Sequence, residues 1–368
     1  MIHNSKFIVT NFAYGNGPYL RTTELALAFN DELEKVGKKR LGIFVPLVYG
    51  DKQKQTMREE FGDVPEIVFD EKLGEILRGV FYGSVGSPQV SGNFQDYLKK
   101  WAQSVKGASE KAHKHLEETY GKDIVVELSR SPRLRYDIAP AYFTSFGFLG
   151  EIYEQAGLKD AAKAADWVER DYRIHCLSYP GTFSFLQNRQ PRYKTEMETP
   201  PIIKNLELRM KNEELAEGIF VTVSGIAGLE KLYAETGKLG LKIYTNDPKV
   251  VPGGIKASPD LVGNPNIKLH FARSGWGSVY LSLFSGTPLV VPEFDPSDDP
   301  EIKFNNQTIE KLGIGIIYRG QNLDQLLKES EAVKENMQKV REDILKRWGT
   351  LDGNKYAASL FARDFLGA

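Results

Sequence analysis

The most informative stretch of the chain is Ile267-Lys268-Leu269-His270-Phe271-Ala272-Arg273-Ser274-Gly275-Trp276-Gly277-Ser278. Its first six residues predict a β-strand, and its last six predict a turn of small residues. A short apolar helix is expected over 279–284 and should end at Gly286. The next strand is expected at 289–291. Strand, turn, helix and strand in this order predict a parallel α/β domain.

The turn in this stretch has the composition of an anion-binding site. Small residues after a strand allow backbone N–H groups to approach a ligand without steric obstruction. The following helix points its positive N-terminus at the same place, so a diphosphate is expected to bind there. Two serines add hydroxyl donors and an arginine adds a charged one, while the tryptophan either shapes the turn or contacts the ligand. The predicted phosphate-binding residues are Arg273, Ser274, Gly275, Trp276, Gly277 and Ser278.

The same strand–turn–helix layout begins at two other places in the chain. A strand-like run at 7–10 precedes the glycine turn 15–18 and an amphipathic helix. A second run at 219–223 precedes the small-residue turn 224–228 and another helix. Because each unit is the start of a parallel α/β domain, the sequence predicts two doubly wound, Rossmann-like domains. The consecutive prolines Pro200-Pro201 place the boundary near them, with domains at 1–203 and 204–349.

Composition excludes several classes of protein. The 368 residues include 48 basic and 49 acidic side chains, so no global field attracts nucleic acid. The single cysteine, Cys176, rules out an internal disulfide and a cysteine-based zinc cluster. No run approaches the ~20 apolar residues of a membrane span, and the N-terminus lacks a signal-peptide pattern. We therefore expect a cytoplasmic protein without a transmembrane segment or a nucleic-acid partner.

The stretch from 220 to 318 resembles the donor-binding half of GT-B glycosyltransferases, above all the peptidoglycan N-acetylglucosaminyltransferase and the UDP-sugar transferases. Three features carry the resemblance: the Arg273-Ser274-Gly275 turn, Gly286-Thr287-Pro288 after the helix, and an acidic loop before an asparagine. The resemblance implies two Rossmann-like domains facing across a cleft. It also implies that a final helix within 350–368 crosses back to the first domain.

The resemblance also implies a set of donor contacts. In these families the small-residue turn binds the diphosphate, and the acidic loop reaches the hydroxyls of the sugar. The sequence departs from the family pattern at Leu281, where a ribose-binding Glu is usual, and at Glu301, where a Gln is usual. We call residues 273–278 the phosphate turn. The other expected donor-binding residues are Ser224, Gly225, Thr245, Asn246, Asp299, Glu301 and Asn305.

Two other interpretations of the acidic loop stay open, a solvated loop and a metal cluster of Asp298, Asp299 and Glu301. The five histidines show no metal-ligand spacing, and His113, His115 and His270 are expected on the surface or on helices. We therefore predict no metal site and no cofactor other than the nucleotide-sugar co-substrate.

The acceptor is expected on the first domain. Ligands of open α/β sheets collect at the carboxyl ends of the strands, and the loop after the strand 124–128 is rich in arginine. We nominate Asp137 in that loop as the general base, with Glu127 and His175 as competitors. In the first turn, Gly17 is expected to cap the helix and Pro18 to be its first residue. The expected acceptor-binding residues are Gly15, Asn16, Gly17, Arg130, Arg133 and Arg135, although a solvated arginine loop is the alternative.

These expectations define one leading function and two alternatives. The leading one is a metal-independent, inverting glycosyltransferase that moves a sugar from a UDP-linked donor to a hydroxyl acceptor. The first turn carries no histidine, although many inverting members have one there as the base. A nucleotide-sugar epimerase of the same fold, or a catalytically silent protein that binds nucleotide sugars, would also account for the pattern.

Overall fold

The computed structural model describes residues 7–13, 15–82, 94–122, 124–184, 189–203, 215–222 and 229–367. The chain divides into two compact units. The first consists of Met1–Tyr179, Leu186–Lys204 and Asp352–Ala368, and the second of Pro180–Phe185 and Asn205–Leu351. The segment Pro180–Phe185 therefore belongs to the second unit, whereas the sequence assigned it to the first.

Helices and strands alternate in both units. The strands are β1 (Phe7–Phe12), β2 (Gly42–Pro46), β3 (Ile67–Asp70), β4 (Ile124–Arg130), β5 (Ala141–Ser145), β6 (Ile174–Ser178), β7 (Glu196–Thr199), β8 (Gly218–Val221), β9 (Lys242–Thr245), β10 (Ile255–Lys256), β11 (Ile267–Phe271), β12 (Leu289–Pro292) and β13 (Gly315–Tyr318). The helices are α1 (Asn16–Lys35), α2 (Gly50–Phe61), α3 (Glu71–Tyr82), α4 (Phe94–Tyr120), α5 (Leu149–Gln155), α6 (Lys159–Glu169), α7 (Glu230–Lys238), α8 (Trp276–Ser285), α9 (Pro300–Leu312), α10 (Leu323–Trp348) and α11 (Gly353–Leu366), with a short 3-10 helix at Pro259–Gly263.

The first unit is built on a parallel sheet with the strand order β3-β2-β1-β4-β5-β6-β7. Its described strands are mostly apolar and buried, as expected for a sheet covered on both faces. Helix α11 packs on this unit: Phe361 stacks on Tyr142 with ring centroids 4.6 Å apart. Phe365 also meets Phe29 of α1 edge-on at 5.7 Å.

The second unit has a parallel sheet with the order β10-β9-β8-β11-β12-β13. Renumbered within the unit, this is the Rossmann order 3-2-1-4-5-6, which the first sheet shares through its first six strands. The prediction of two Rossmann-like domains is confirmed. In each sheet the strand order reverses between two central strands, β1 and β4 in one and β8 and β11 in the other. Ligands of such sheets bind at the carboxyl edge next to that reversal.

Helix ends in the second unit follow ordinary capping chemistry. Asp299 is the N-cap of α9 and accepts a hydrogen bond from the Glu301 N–H. Asn322 and Gln325 form a capping box at the start of α10. Helix α8 ends at Gly286, whose φ of 71° lies in the left-handed region. The predicted end of this helix is therefore confirmed.

Candidate functional site

The turn between β11 and α8 lies at the carboxyl edge of the second sheet, beside the reversal of strand order. Gly275 is the N-cap of α8, and its N–H donates to the Arg273 carbonyl at 2.8 Å. The Ser278 N–H donates to the Gly275 carbonyl at 2.9 Å, and the N-terminus of the helix carries its positive end. The Ser274 side chain is fully buried, and its Oγ has no hydrogen-bond partner among the described residues. Such a group is costly to leave unsatisfied.

Neither the backbone angles nor the packing of the described residues requires a glycine at position 275 or 277. Gly275 has an ordinary extended backbone, with φ −66° and ψ 137°. A Cβ built on Gly275 or Gly277 meets no described atom within 4 Å. Gly277 lies in the first turn of α8, where glycine is normally less favourable than alanine. The space beside both residues suits a ligand that approaches the backbone closely.

Arg273 at the start of the turn forms an ion pair with Asp298 of the loop after β12. Its Nε donates to Asp298 Oδ2 at 2.8 Å, and an Nη atom contacts Oδ1. The same Oδ1 accepts from the Asp299 N–H at 2.6 Å. The side chains of Arg273 and Asp298 are each about one-third exposed. The structure thus brings the predicted charged donor next to the predicted acidic loop.

Asn305 of α9 contacts two other predicted residues and one that was not predicted. Its side chain is fully buried, and its Nδ2 donates to the Ser274 carbonyl at 2.9 Å. The same amide group lies 3.3 Å from Glu301 Oε1. Its Oδ1 accepts from Thr182 Oγ1 at 2.7 Å. The sequence analysis missed Thr182, because nothing in its local sequence links it to a turn more than ninety residues later.

His270 lies beneath the turn, in β11, and is fully buried. Its Nε2 lies 2.7 Å from Thr222 Oγ1, and its Nδ1 lies 2.7 Å from Ser282 Oγ of α8. Burial lowers the pKa of His270 to about 3, so the imidazole is neutral. The expectation of a surface or helical residue was wrong. His270 fixes the helix against the strand.

The other predicted donor residues lie on neighbouring loops of the same edge or outside the described residues. Thr245 ends β9, is fully buried, and accepts a hydrogen bond from the Asp247 N–H at 3.2 Å. Asn246 follows it and is exposed. Strand β9 lies next but one to β11. Ser224 and Gly225 lie outside the described residues.

The glycine turn of the first unit lies at the corresponding edge of its own sheet. Gly15 is the N-cap of α1, with a φ of 102° that favours glycine, and Asn16 is the first helical residue. The Gly15 N–H donates to Tyr49 Oη. Gly17 and Pro18 are inside the first turn, so the helix begins earlier than predicted. The structure therefore places Gly15, Asn16 and Gly17 beside the β1–β4 reversal.

Arg130, Arg133 and Arg135 bind separate partners within the first unit. Arg130 is buried, donates to the Ile202 carbonyl at 2.6 Å and lies 4.5 Å from the Phe146 ring. Arg133 is also buried and donates to Tyr153 Oη at 2.6 Å. Arg135 binds Asp137 and Asp171. Each arginine therefore has its own structural partner, and a role of the three in holding the acceptor stays a prediction.

Asp137 lies at the opposite edge of the sheet from the predicted one. The chain after Arg130 returns along α4, where the Tyr136 carbonyl bonds the ring of His113, and enters β5 at Ala141. The Arg135 guanidinium links Asp137 to Asp171, which lies three residues before the start of β6. Both carboxylates are therefore at the amino edge. The expectation that Asp137 lies at the carboxyl edge of the sheet, near the ligand, was wrong.

The two competing bases are buried in the interior of the first unit. Glu127 is fully enclosed and accepts from Asn11 Nδ2 at 2.8 Å and Ser129 Oγ at 2.7 Å. Burial raises the pKa of Glu127 to about 7. His175 lies between Thr195 Oγ1 and the Glu169 carbonyl, each at 2.7 Å, and burial lowers its pKa. Neither side chain is exposed to an acceptor at the surface of the unit.

None of the described helices is both long and apolar enough to cross a membrane. No group of three or more His, Cys, Asp or Glu side chains with metal-binding geometry occurs in the described part of the chain.

Solved structures with the same architecture are GT-B glycosyltransferases. The glycosyltransferase SnogD from Streptomyces nogalater superposes with a TM-score of 0.61 and 15% identity, covering 97% of this chain and 100% of its own. Phytolacca americana UGT2, complexed with UDP-2fluoro-glucose and pterostilbene, gives 0.63 and 11%, covering 98% and 100%. Medicago truncatula UGT71G1, complexed with UDP-glucose, gives 0.63 and 11%, covering 98% of each chain. No protein-family model and no curated protein matches the sequence. The chain has the GT-B glycosyltransferase fold, as its resemblance predicted.

Proposed function

We propose that the protein is a glycosyltransferase that moves a sugar from a UDP-linked donor to a hydroxyl acceptor. The observation that carries the proposal is the turn at the start of α8. It combines a helix N-terminus, an unsatisfied buried Ser274 Oγ and two glycines, Gly275 and Gly277, whose missing side chains leave open space among the described residues. A diphosphate would accept hydrogen bonds from the helix N-terminus and from Ser274 Oγ, and it would fill the space beside the two glycines.

The nucleotide is proposed to be UDP because two of the similar structures hold UDP-sugars. The charge that develops on the departing UDP would be met by the N–H groups of the α8 N-terminus, by Ser274 and Ser278, and by Arg273. The backbone N–H groups are fixed by the fold, so they need no reorganisation during the reaction, whereas Arg273 must exchange Asp298 for the anion. The proposal therefore includes catalysis without a divalent metal.

The sugar is proposed to lie against α9. Asp299 is the N-cap of this helix and Glu301 lies in its first turn, and Asn305 connects Glu301 to the phosphate turn. Carboxylate oxygens in such positions accept hydrogen bonds from sugar hydroxyls. The acceptor is proposed to bind at the turn Gly15–Gly17 of the first unit and to attack the anomeric carbon directly, with inversion.

A thermal-shift panel followed by a turnover assay tests this function. UDP and UDP-sugars should raise the melting temperature, because they bind only the native state, whereas ADP and GDP should not. With small alcohols and phenols as acceptors, the best donor should release UDP and give a product of opposite anomeric configuration. Absence of a shift with every nucleotide would contradict the proposal. Conversion of the donor without an acceptor would indicate an epimerase, and binding without any turnover a silent binding protein.

A further inference from the structure

The segment 180–184 of the second unit packs against the start of α8 and α9. The Pro180 carbonyl accepts a hydrogen bond from Tyr280 Oη at 2.6 Å. Phe183 meets Phe304 with ring centroids 5.4 Å apart. Between these two anchors, Thr182 is buried and lies among Trp276, Asn305 and Thr308. The position of the Thr182 hydroxyl is therefore held from both sides.

Trp276 fixes the direction of the hydrogen bonds that the Thr182 hydroxyl makes. The indole Nε1 of Trp276 can only donate, and it donates to Thr182 Oγ1 at 3.2 Å. The hydroxyl hydrogen of Thr182 is then directed to Asn305 Oδ1 at 2.7 Å. The amide of Asn305 must consequently turn its Nδ2 the other way, towards the Ser274 carbonyl and Glu301 Oε1.

The orientation of the Asn305 amide affects both the backbone at Ser274 and the Glu301 carboxylate. In the observed orientation, Nδ2 donates to the Ser274 carbonyl and so holds the backbone of the turn that precedes Gly275. In the flipped orientation, two carbonyl oxygens would face each other in a buried place, which is unfavourable. The same flip would remove the donor that faces the Glu301 carboxylate.

We infer that Thr182 is a positioning residue of the donor site, acting through the Trp276–Thr182–Asn305 relay on the phosphate turn and on Glu301. This inference deepens the proposed function and rests on it for the identity of the ligand. It assigns to the segment 180–184 a role that its own sequence does not suggest. Thr182 does not touch the donor in this arrangement; it sets the geometry of the groups that do.

The test compares Thr182→Val with Thr182→Ser. Valine keeps the volume and removes both hydrogen bonds, whereas serine keeps the hydroxyl. Calorimetric titration with UDP should give a Kd about tenfold weaker in Thr182→Val and near normal in Thr182→Ser, the effect of one misaligned hydrogen-bonded group. The matched control is Thr236→Val, which removes another buried threonine hydroxyl of the same unit, bonded to the Tyr233 carbonyl at 2.7 Å. It should lower the melting temperature without changing the Kd.

A measurement without ligand separates this inference from the proposed function. Amide hydrogen exchange of a peptide covering 273–279 should be about tenfold faster in Thr182→Val and restored in Thr182→Ser, because the turn opens more often when the relay is broken. Unchanged exchange and an unchanged Kd in Thr182→Val would overturn the inference. If wild-type protein fails to bind UDP but the exchange result holds, the proposed function fails and the positioning role stands. If Thr182→Val does not fold, Thr182→Ala carries the same comparison.

Discussion

Arg273 Nε donates to Asp298 Oδ2 across 2.8 Å, so the one cation of the phosphate turn is already engaged by a carboxylate. An anion that binds at the α8 N-terminus must compete with Asp298 for this guanidinium. We therefore expect Asp298→Asn to bind UDP several-fold more tightly, with a steeper loss of affinity as salt is added. Calorimetry at two ionic strengths measures both effects.

A second Arg–Asp pair of the same unit supplies the control for this prediction. Arg347 contacts Asp343 at 2.9 Å on α10, and Asp343→Asn should leave the affinity for UDP unchanged. Weaker binding in Asp298→Asn would show the opposite relationship, in which Asp298 orients Arg273 for the ligand.

Gly275→Val should abolish UDP binding, with a Kd raised at least a hundredfold, because the side chain occupies the space through which a phosphate reaches the backbone. The variant should fold, since its backbone angles suit valine and its Cβ meets no described atom within 4 Å. Isothermal titration calorimetry measures the loss of affinity, and the melting temperature shows whether the variant folds. Gly107→Ala, at a similarly open glycine of α4, should not change binding. Normal affinity in Gly275→Val would remove the turn from the site.

Turnover should persist when divalent metals are removed. The proposed leaving-group donors are backbone N–H groups, hydroxyls and Arg273, and none of them requires a metal. Activity in excess chelator should stay within about twofold of the untreated enzyme. Loss of activity that magnesium or manganese restores would instead make Asp298, Asp299 and Glu301 a metal site.

Asp137→Asn should leave kcat within about twofold of wild type, because Asp137 lies at the amino edge of the first sheet. Its φ of 55° is one that asparagine adopts readily. The lost ion pair with Arg135 is partly exposed and is worth less than about 1 kcal/mol. Steady-state kinetics and thermal unfolding measure the two effects. A hundredfold loss of turnover in a folded variant would reinstate Asp137 as the general base.

The contribution of Glu127 to the stability of the protein should fall as pH rises towards neutrality. Burial raises its pKa to about 7, above the ~4.3 of an unfolded chain, so the folded state holds the proton more tightly. The stabilisation is full below pH ~4.3 and is lost as pH rises through about 7. Glu127→Gln removes this titration. The difference in free energy of unfolding, variant minus wild type, should therefore increase by up to ~3 kcal/mol from pH 5 to pH 8.

Denaturant titrations at several pH values test the Glu127 prediction. The exposed Glu110 of α4 provides the control, and Glu110→Gln should follow the wild-type profile. A constant difference between Glu127→Gln and wild type across this range would mean that Glu127 does not titrate there.

Much of the fold could be predicted from the sequence because its signals are local. The apolar runs of the strands and the helix stop at Gly286 are each written within a few residues, and the structure has them where they were expected. Helices α1 and α8 begin earlier than predicted, inside the expected turns at 15–18 and 273–278. The acidic loop, Asn305 and the turn at Arg273 could also be assigned to one edge, since each follows a parallel strand.

Asp137 shows where the same rule fails. A loop is at the carboxyl edge only for its first residues, because the chain must return to the amino edge to begin the next parallel strand. The connection from Arg130 to Ala141 makes this return without a helix. The sequence pattern does not state how far along the return a given residue lies, and Asp137 is near its end.

The sequence by itself determined the two Rossmann-like domains and predicted an anion-binding turn at 273–278, because both inferences depend on the order of strands, glycines and helices along the chain. Only the tertiary structure decided that His270 is buried, that the arginines at 130, 133 and 135 bind separate partners, and that Thr182 lies beside Asn305. These relationships join residues far apart in the chain. A hydrogen bond between such residues depends on how the elements pack, and neither partner's local sequence carries that information.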